Sequence, residues 1–259
     1  MLIQLKIMSF NSRCVVEADG INCFWNRTER ILPMIREEDP DVIGFQEITP
    51  AMQEWYVEHL TEYTVVGVGR GKRYNDESTA IAFKKRTLRL ISADTVMLSS
   101  TPRVFGSHYE GSDQSACPRC YTKVFLKHAK IDTPFWIYNV HTDHQGALAR
   151  QMASVQLLQD LSSHDDLFVM TGDFNAMPDR SEIRMLLSSP HRRVIDTTAA
   201  IEGTFHNFGR FPRLEKIDYI FADPRMQVES SRAVSDEGVE GVYLSDHLPV
   251  VTVFSMGNE

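Results

Sequence analysis

Cysteine is scarce in this chain. Cys14, Cys23, Cys117 and Cys120 are its only four, too few to staple 259 residues as a disulfide scaffold. Cys117-Pro118-Arg119-Cys120 is the single CxxC, so a structural zinc site would lack its second pair unless distant histidines supplied it. A redox role is weak as well: Tyr121 to Leu126, which follow, read as a strand and not as the helix whose N-terminus would lower a thiol pKa. Reduced bystanders are expected. No apolar run reaches the roughly 18 residues of a bilayer span, so no membrane partner is expected. The first residues lack the basic, apolar and small-residue segments of a signal peptide, which makes a cytoplasmic protein the expectation. Linker-like and low-complexity segments are also missing, and one domain over residues 1–259 is expected. Positive charge is in deficit: 27 Lys and Arg against 35 Asp and Glu leave a net charge of −8. That disfavours a broad basic surface for long nucleic acid, although it permits a locally positive cleft. The clusters Arg70-Gly71-Lys72-Arg73 and Lys84-Lys85-Arg86 read as solvated loops.

Strand-like runs are plentiful. The start, from Met1 to Met8, alternates, and apolar or β-branched runs predict strands at Leu5–Phe10, Val42–Gln46, Thr64–Val68, Ala80–Phe83, Cys120–Leu126, Phe135–Val140, Leu167–Thr171, Ile217–Phe221 and Leu248–Phe254. Thr49 before Pro50 is a helix start, with Met52, Trp55, Tyr56 and Leu60 as its apolar stripe. Leu148, Met152, Val155 and Leu158 make a second stripe within 147–162. A third helix over Glu29–Glu38 would turn Ile31, Leu32 and Ile35 inward, with Pro33 kinking it or delaying its start. Two packed mixed sheets with helices outside, an α/β architecture, account for this many strands in one domain.

The ends of these strands carry unusual residues. In Met170-Thr171-Gly172-Asp173-Phe174-Asn175-Ala176 an apolar run ends on Asp173 and Asn175, which share a face in an extended chain. Alone, this reads more readily as an ordinary turn than as a site. Asn11 ends another run, Gln46-Glu47 a third and His141-Thr142-Asp143-His144 a fourth. Asp218 sits within Lys216–Phe221, and Ser245-Asp246-His247 precedes Leu248. Turns have no special use for Glu or His. Carboxylates and amides are hard ligands suited to Mg²⁺ or Mn²⁺, and histidines exchange protons near neutrality, so the set reads as hydrolysis of a phosphate ester. Asp218, in an apolar strand, needs a fixed partner: a histidine, or Lys216.

The motifs IMSFNSR, IGFQE, NVHTDH, TGDFNA, KIDYIFAD and SDHLPV, in that order along nearly the whole chain, resemble the endonuclease/exonuclease/phosphatase superfamily, the metal-dependent phosphoesterases typified by deoxyribonuclease I and the abasic-site endonucleases. Segments such as Ala116–Arg119 and Gly203–His206 resemble its small bacterial members. The resemblance implies a four-layer α/β/β/α sandwich with the site at one end of the strands. It implies Glu47 as the principal Mg²⁺ (or Mn²⁺) ligand, helped by Asn11 and Asp246, and Asp173 with Asn175 positioning and activating water. His247 paired with Asp218 would act as base or as a phosphate-stabilising cation, and His141 would contact the phosphate or assist the leaving group.

Weaker signals surround this set. Arg119 suits bidentate phosphate contact, or is simply exposed. His144 forms HxxH with His141, but at a strand-to-loop exit, which is poor zinc spacing; it is kept as a substrate-binding candidate. Gly67–Gly71 is expected to be a flexible site-lining loop, since it lacks the ending of a phosphate loop. Trp25, Tyr109 and Phe208 either stack on a base or sugar or merely pack. The acidic balance favours a small or short-chain phosphodiester, whether small molecule or short nucleic acid, over duplex DNA. A phosphomonoesterase and a non-catalytic phosphate-recognising protein are the alternatives.

Overall fold

The structure, a computed structural model, describes residues 2–257; Met1, where the N-terminal alternation begins, and Asn258 and Glu259 of the expected 1–259 domain lie outside the described residues. Among the described residues twelve strands follow one another as β1 (Leu2–Asn11), β2 (Val42–Gln46), β3 (Tyr63–Val66), β4 (Ile81–Lys84), β5 (Leu88–Met97), β6 (Cys120–His128), β7 (Phe135–His141), β8 (Leu167–Asp173), β9 (Ile195–Asp196), β10 (Asp218–Ala222), β11 (Gln227–Ala233) and β12 (Val250–Gly257). Helices α1 (Phe24–Glu38) and α2 (Pro50–His59) fall in the first half, α3 (Ala147–Leu161) and α4 (Ser181–Leu187) in the second.

The strands form two six-stranded sheets, ordered β11-β12-β1-β2-β4-β3 and β5-β6-β7-β8-β10-β9. Both are mixed: β1 runs parallel to β2 and antiparallel to β12, and β7 runs parallel to β8, which is antiparallel to β10. Three apolar layers hold them. Ile7, Val42, Phe83, Ile137, Val169 and Phe254 meet between the sheets. Ile31, Ile35, Met52 and Tyr56 of α1 and α2 cover Met8, Phe10, Ile43 and Phe45. Leu157 and Leu161 of α3 with Ile183 and Leu186 of α4 cover Tyr138, Met170 and Phe221. The molecule is therefore an α/β/β/α sandwich.

Polar side chains cross the central layer under one end of it. Gln46 Nε2 donates to Asn139 Oδ1 at 2.6 Å, and Asn139 Nδ2 donates to the carbonyls of Phe45 at 2.7 Å and Ala80 at 3.0 Å. Gly44 makes room for them: a Cβ there would lie 2.0 Å from Thr171 Oγ1. Gln46 is thus a buried tie between the sheets and not a member of the site.

The elements depart from expectation in explicable ways. α1 starts at Phe24, five residues before Glu29, and runs through Pro33; Pro33 and Glu29, whose carbonyl loses its helical donor, are both exposed, so water can serve that carbonyl. α3 buries Ala149, Ala153, Leu157 and Leu161, while Leu148 and Val155 are exposed; alanines let the helix seat close to the sheet, so size misled the choice of face. β5 and β11 are edge strands with mostly exposed residues and a bulge each, near Leu90/Ser92 and Val228/Ser230. Edges need no apolar alternation, which is why the pattern missed them. β9 and α4 are short and were missed as well. Thr49 caps α2 as expected, accepting the Met52 N–H at 3.4 Å, with Pro50 at the first turn. No helix among the described residues is long and apolar enough to cross a membrane.

Candidate active site

Register brings the polar strand ends together. Asn11 lies opposite Gln46 at the C-terminal ends of the parallel pair β1 and β2. In the other sheet His141 lies opposite Asp173, which lies opposite Asp218. The two ends face one cleft of about 450 Å³ that also takes in Glu47, Asn175, Asp246 and His247. A larger groove of about 650 Å³ beside α3 is lined by Val155, Leu158, Pro190 and neighbours and holds none of these groups.

Asp173 is the hub. Its Oδ2 accepts from Asn11 Nδ2 at 2.9 Å and its Oδ1 from the Asn175 backbone N–H at 2.9 Å. His141 Nε2 and His247 Nε2 stand 3.7 and 3.8 Å from Oδ2. Asn175 has a left-handed φ of 47°, which aims its side chain back so that Nδ2 donates to the Thr142 carbonyl at 3.2 Å. Burial, then Asp218, push the Asp173 carboxyl up to about 7, against the pull of His247 and the Asn175 and Asn11 donors. It is therefore poised to exchange a proton near neutrality.

His247 Nδ1 donates to Asp218 Oδ2 at 2.8 Å, and that oxygen also accepts from Thr204 Oγ1 at 2.6 Å. Burial opposes a charge on the imidazole, but Asp218 outweighs it and lifts His247 to about 10, leaving a cation with Nε2 toward the cleft. Of the two partners open for Asp218, the histidine takes it; Lys216 bonds Thr198 and faces Asp196 at 3.2 Å instead. Asp173, Asp218 and His247 present ligand-type atoms within 4.8 Å of one another, yet the imidazolium already serves as the cation between those carboxylates. His141 differs: burial, then Arg119 and Arg70, hold it well below 6.5, so it is neutral.

The opposite wall is acidic. Glu47 Oε1 accepts from Asn11 Nδ2 at 3.2 Å and Oε2 from the Cys14 N–H at 3.1 Å. Burial raises this carboxyl, but Arg13 and the Cys14 N–H outweigh it and hold it at about 2, so it is ionised. Arg13 lies across the wall, 3.9 Å from Glu47 and 3.7 Å from Asp246, while its hydrogen bonds go to Asp19. Two carboxylates and the Asn11 amide, with a second lone pair on Oδ1 beyond the one taken by Arg13 N–H at 2.9 Å, make a hard-oxygen donor set that fits a divalent cation. Glu47 itself has φ of 62°, a left-handed conformation that costs a non-glycine residue on the order of 1 kcal/mol and marks a place where direction outweighs comfort.

All ten residues singled out from the sequence fall in or against this cleft. Asn11 and Asp218 stand behind it through their contacts with Asp173, Glu47 and His247, and Arg119 and His144 line it. Arg70, placed from the sequence in a solvated cluster, also lines it and is buried; its loop is pinned by the Arg70 N–H on Glu77 O at 3.0 Å and is not the free loop expected of 67–71. Gly69 permits the fold-back, for a Cβ there would meet Asp76 O at 2.4 Å. Arg13, Glu77, Phe205 and Glu215 were missed. The i+2 rule that joined Asp173 to Asn175 would have joined Arg13 to Asn11; the others come from loops with no such signal. Trp25, Tyr109 and Phe208 pack elsewhere, Trp25 against Phe24 and Tyr109 on Gln156. All four cysteines are free, Cys14 and Cys117 at the cleft.

Comparison with known proteins identifies the family and the fold. A sequence model described as the Endonuclease/Exonuclease/phosphatase family matches residues 8–247. The endonuclease/exonuclease/phosphatase of Bacteroides vulgatus superposes with a TM-score of 0.90 at 26% identity, covering 97% of this chain and 98% of that one. A mannosyl-6-phosphatase of Bacteroides thetaiotaomicron shares the fold, with a TM-score of 0.86 at 24% identity over 98% of this chain and 100% of its own. An uncharacterized protein of Acanthamoeba polyphaga mimivirus is 26% identical over 248 residues, 88% of this chain and 91% of its own.

Proposed function

The chain belongs to the Endonuclease/Exonuclease/phosphatase family and is a phosphoester hydrolase, and from that premise we propose that it cleaves a small or short-chain phosphodiester by Mg²⁺- or Mn²⁺-dependent attack of water. The observation that carries this reading is Asp173, a buried carboxyl at about 7 fixed between two donors and facing one cationic and one neutral histidine.

Glu47, Asp246 and Asn11 would hold the metal. Bound there, a divalent cation supplies Lewis-acid polarisation of a phosphoryl oxygen. Asp173 takes the proton from the attacking water as the new P–O bond forms, and Asn175 fixes that water by its carboxamide. His247, kept protonated by Asp218, donates from Nε2 to a non-bridging oxygen and answers the charge that grows there. His141, neutral because of its burial and the nearby arginines, gives the phosphate a hydrogen bond and is a poor acid for the leaving alkoxide. The scissile P–O bond breaks with that alkoxide taking its proton from solvent. A cleft of about 450 Å³ with a net acidic chain suits a compact ester better than duplex DNA.

The test is hydrolysis of bis(p-nitrophenyl) phosphate and p-nitrophenyl phosphate by wild type and Glu47→Ala, with Mg²⁺, Mn²⁺ or EDTA. Metal-dependent release from the diester, lost in the variant, is expected. Preference for the monoester would replace the reading by a phosphomonoesterase. No turnover together with no metal uptake by calorimetry would leave only phosphate recognition on this fold.

A further inference from the structure

Arg70 and Arg119 are each 4% exposed, and both line the cleft. Their charges are offset: Arg70 Nη2 is 2.8 Å from Glu77 Oε2 and its Nε 3.9 Å from Asp76 Oδ1, while Arg119 Nε is 3.6 Å from Asp143 Oδ2. Their hydrogen bonding is not. Arg119 uses Nη2 on His144 Nδ1 at 2.6 Å, but its Nε and Nη1 make no hydrogen bond, and neither does Arg70 Nε. Asp143 cannot supply the missing acceptors, because its two oxygens already take the N–H groups of Ser115, Gln145 and Gly146 and the Ser115 hydroxyl. Guanidinium donors buried without partners on two residues that line a cleft are unusual, and they call for an acceptor brought by a ligand as these side chains turn toward it.

The arginines are also offset from the proton-transfer centre. Arg119 directly precedes Cys120, which pairs with His141, which in turn pairs with Asp173. With adjacent strands roughly 5 Å apart, the strand that carries Arg119 lies about 10 Å from the one that carries Asp173. The bond to His144 and the approach to Asp143 hold the guanidinium over the β6 and β7 side, and Arg70 enters from the loop after β3. Two like charges stand side by side here, each buried; burial, then Arg70, lower the affinity of Arg119 for its proton.

We propose that Arg70 and Arg119, with His144, form a subsite for a second phosphate group of the substrate, beside the scissile one. Two planar forks with donors unspent suit the several acceptor oxygens of a phosphate, and Asp143 and His144 orient one fork while Glu77 orients the other. The inference rests on the phosphoester-hydrolase reading and narrows it to substrates anionic at two points.

The test compares thymidine 5′-(p-nitrophenyl phosphate) with its 3′-phosphorylated counterpart, using wild type, Arg70→Gln, Arg119→Gln and the two Lys variants, each checked for folding by thermal melt. Wild type is expected to favour the second substrate by about tenfold or more in kcat/KM, mostly through KM, which is the scale of charge-assisted hydrogen bonds. The Gln variants should bring that ratio close to one, and the Lys variants should recover part of it. A wild-type ratio of one, or a ratio untouched while both rates fall together, overturns the proposal and assigns the arginines to the scissile phosphate. If wild type cleaves neither ester, the choice of reaction fails first, and titration with thymidine 3′,5′-bisphosphate and thymidine 5′-phosphate in EDTA decides the subsite separately. Tighter binding of the bisphosphate by about tenfold, lost in Arg119→Gln, supports it; equal binding of the two, or a preference unaltered in the variant, refutes it. Should the Gln variants fail to fold, the Lys variants carry both measurements.

Discussion

Asp173→Asn should cost activity and add stability. The Asp173 carboxyl is pushed up to about 7, roughly three units above an unfolded aspartate. Keeping it ionised in the fold at pH 8 therefore costs about 4 kcal/mol, which Asn does not incur. Asn also exchanges one accepting oxygen for an NH₂ group. Of the two bonds, from Asn175 N–H and Asn11 Nδ2 at 2.9 Å each, one is lost, at about 1–2 kcal/mol. The balance is a gain of about 2 kcal/mol, or about 4–8 °C in Tm for a chain of this size. A raised carboxyl destabilises the fold only where it is ionised, so the gain is full above about pH 7 and fades as pH falls toward about 4. Thermal unfolding of both proteins in EDTA at pH 8 and pH 4, followed by circular dichroism, measures it. In parallel, kcat on a phosphodiester with saturating Mn²⁺ should fall at least about 10²-fold, the scale of a lost general base. A variant that is fully active, or less stable than wild type at pH 8, or equally stabilised at both pH values, would refute the reasoning.

Three further outcomes are expected. Asp218→Asn keeps acceptors for His247 and Thr204 but removes the charge that lifts His247 to about 10; the imidazole should titrate several units lower by NMR, with kcat down about 10²–10³-fold, the scale of a lost charge stabiliser, and an unchanged titration would exclude the pairing. Asp143 is raised by burial but held at about 2 by the Gly146 N–H, Ser115 and Gln145, so it contributes about 2 kcal/mol that is present above about pH 4 and lost as pH falls through about 2; the stability gap between wild type and Asp143→Asn in urea should close over that window and nowhere above it. Gly44→Ala would press a Cβ within 2.0 Å of Thr171 Oγ1 and 2.7 Å of Asn139 Oδ1; overpacking between the sheets should cost about 1–3 kcal/mol or more by urea titration, and a neutral substitution would mean that the sheets can part there.

Much of this protein was legible in one dimension because its central strands are buried on both faces. Such strands read as apolar runs, and the point where Glu, His or Asp interrupts them is visible without any knowledge of pairing. Hence Glu47, Asp173 and His141 stood out, and the order of motifs along the chain carried the fold and the class of chemistry. What needed the tertiary structure was whatever depends on neighbours far apart in sequence. Packing decided that Asp218 meets His247 and not Lys216, and it gave two buried carboxyls opposite neighbours: Glu47 is held ionised by Arg13, while Asp173 is pushed up to about 7 with Asp218 beside it. Edge strands β5 and β11 left little trace, since exposed strands need no alternation. Arg70 shows the remaining gap: in sequence it is one of a basic cluster, and only the fold-back at Gly69 buries it in the cleft with a donor unspent. Local composition determines what a strand end can offer; which offers face one another, and with what charge, is decided by packing across many residues.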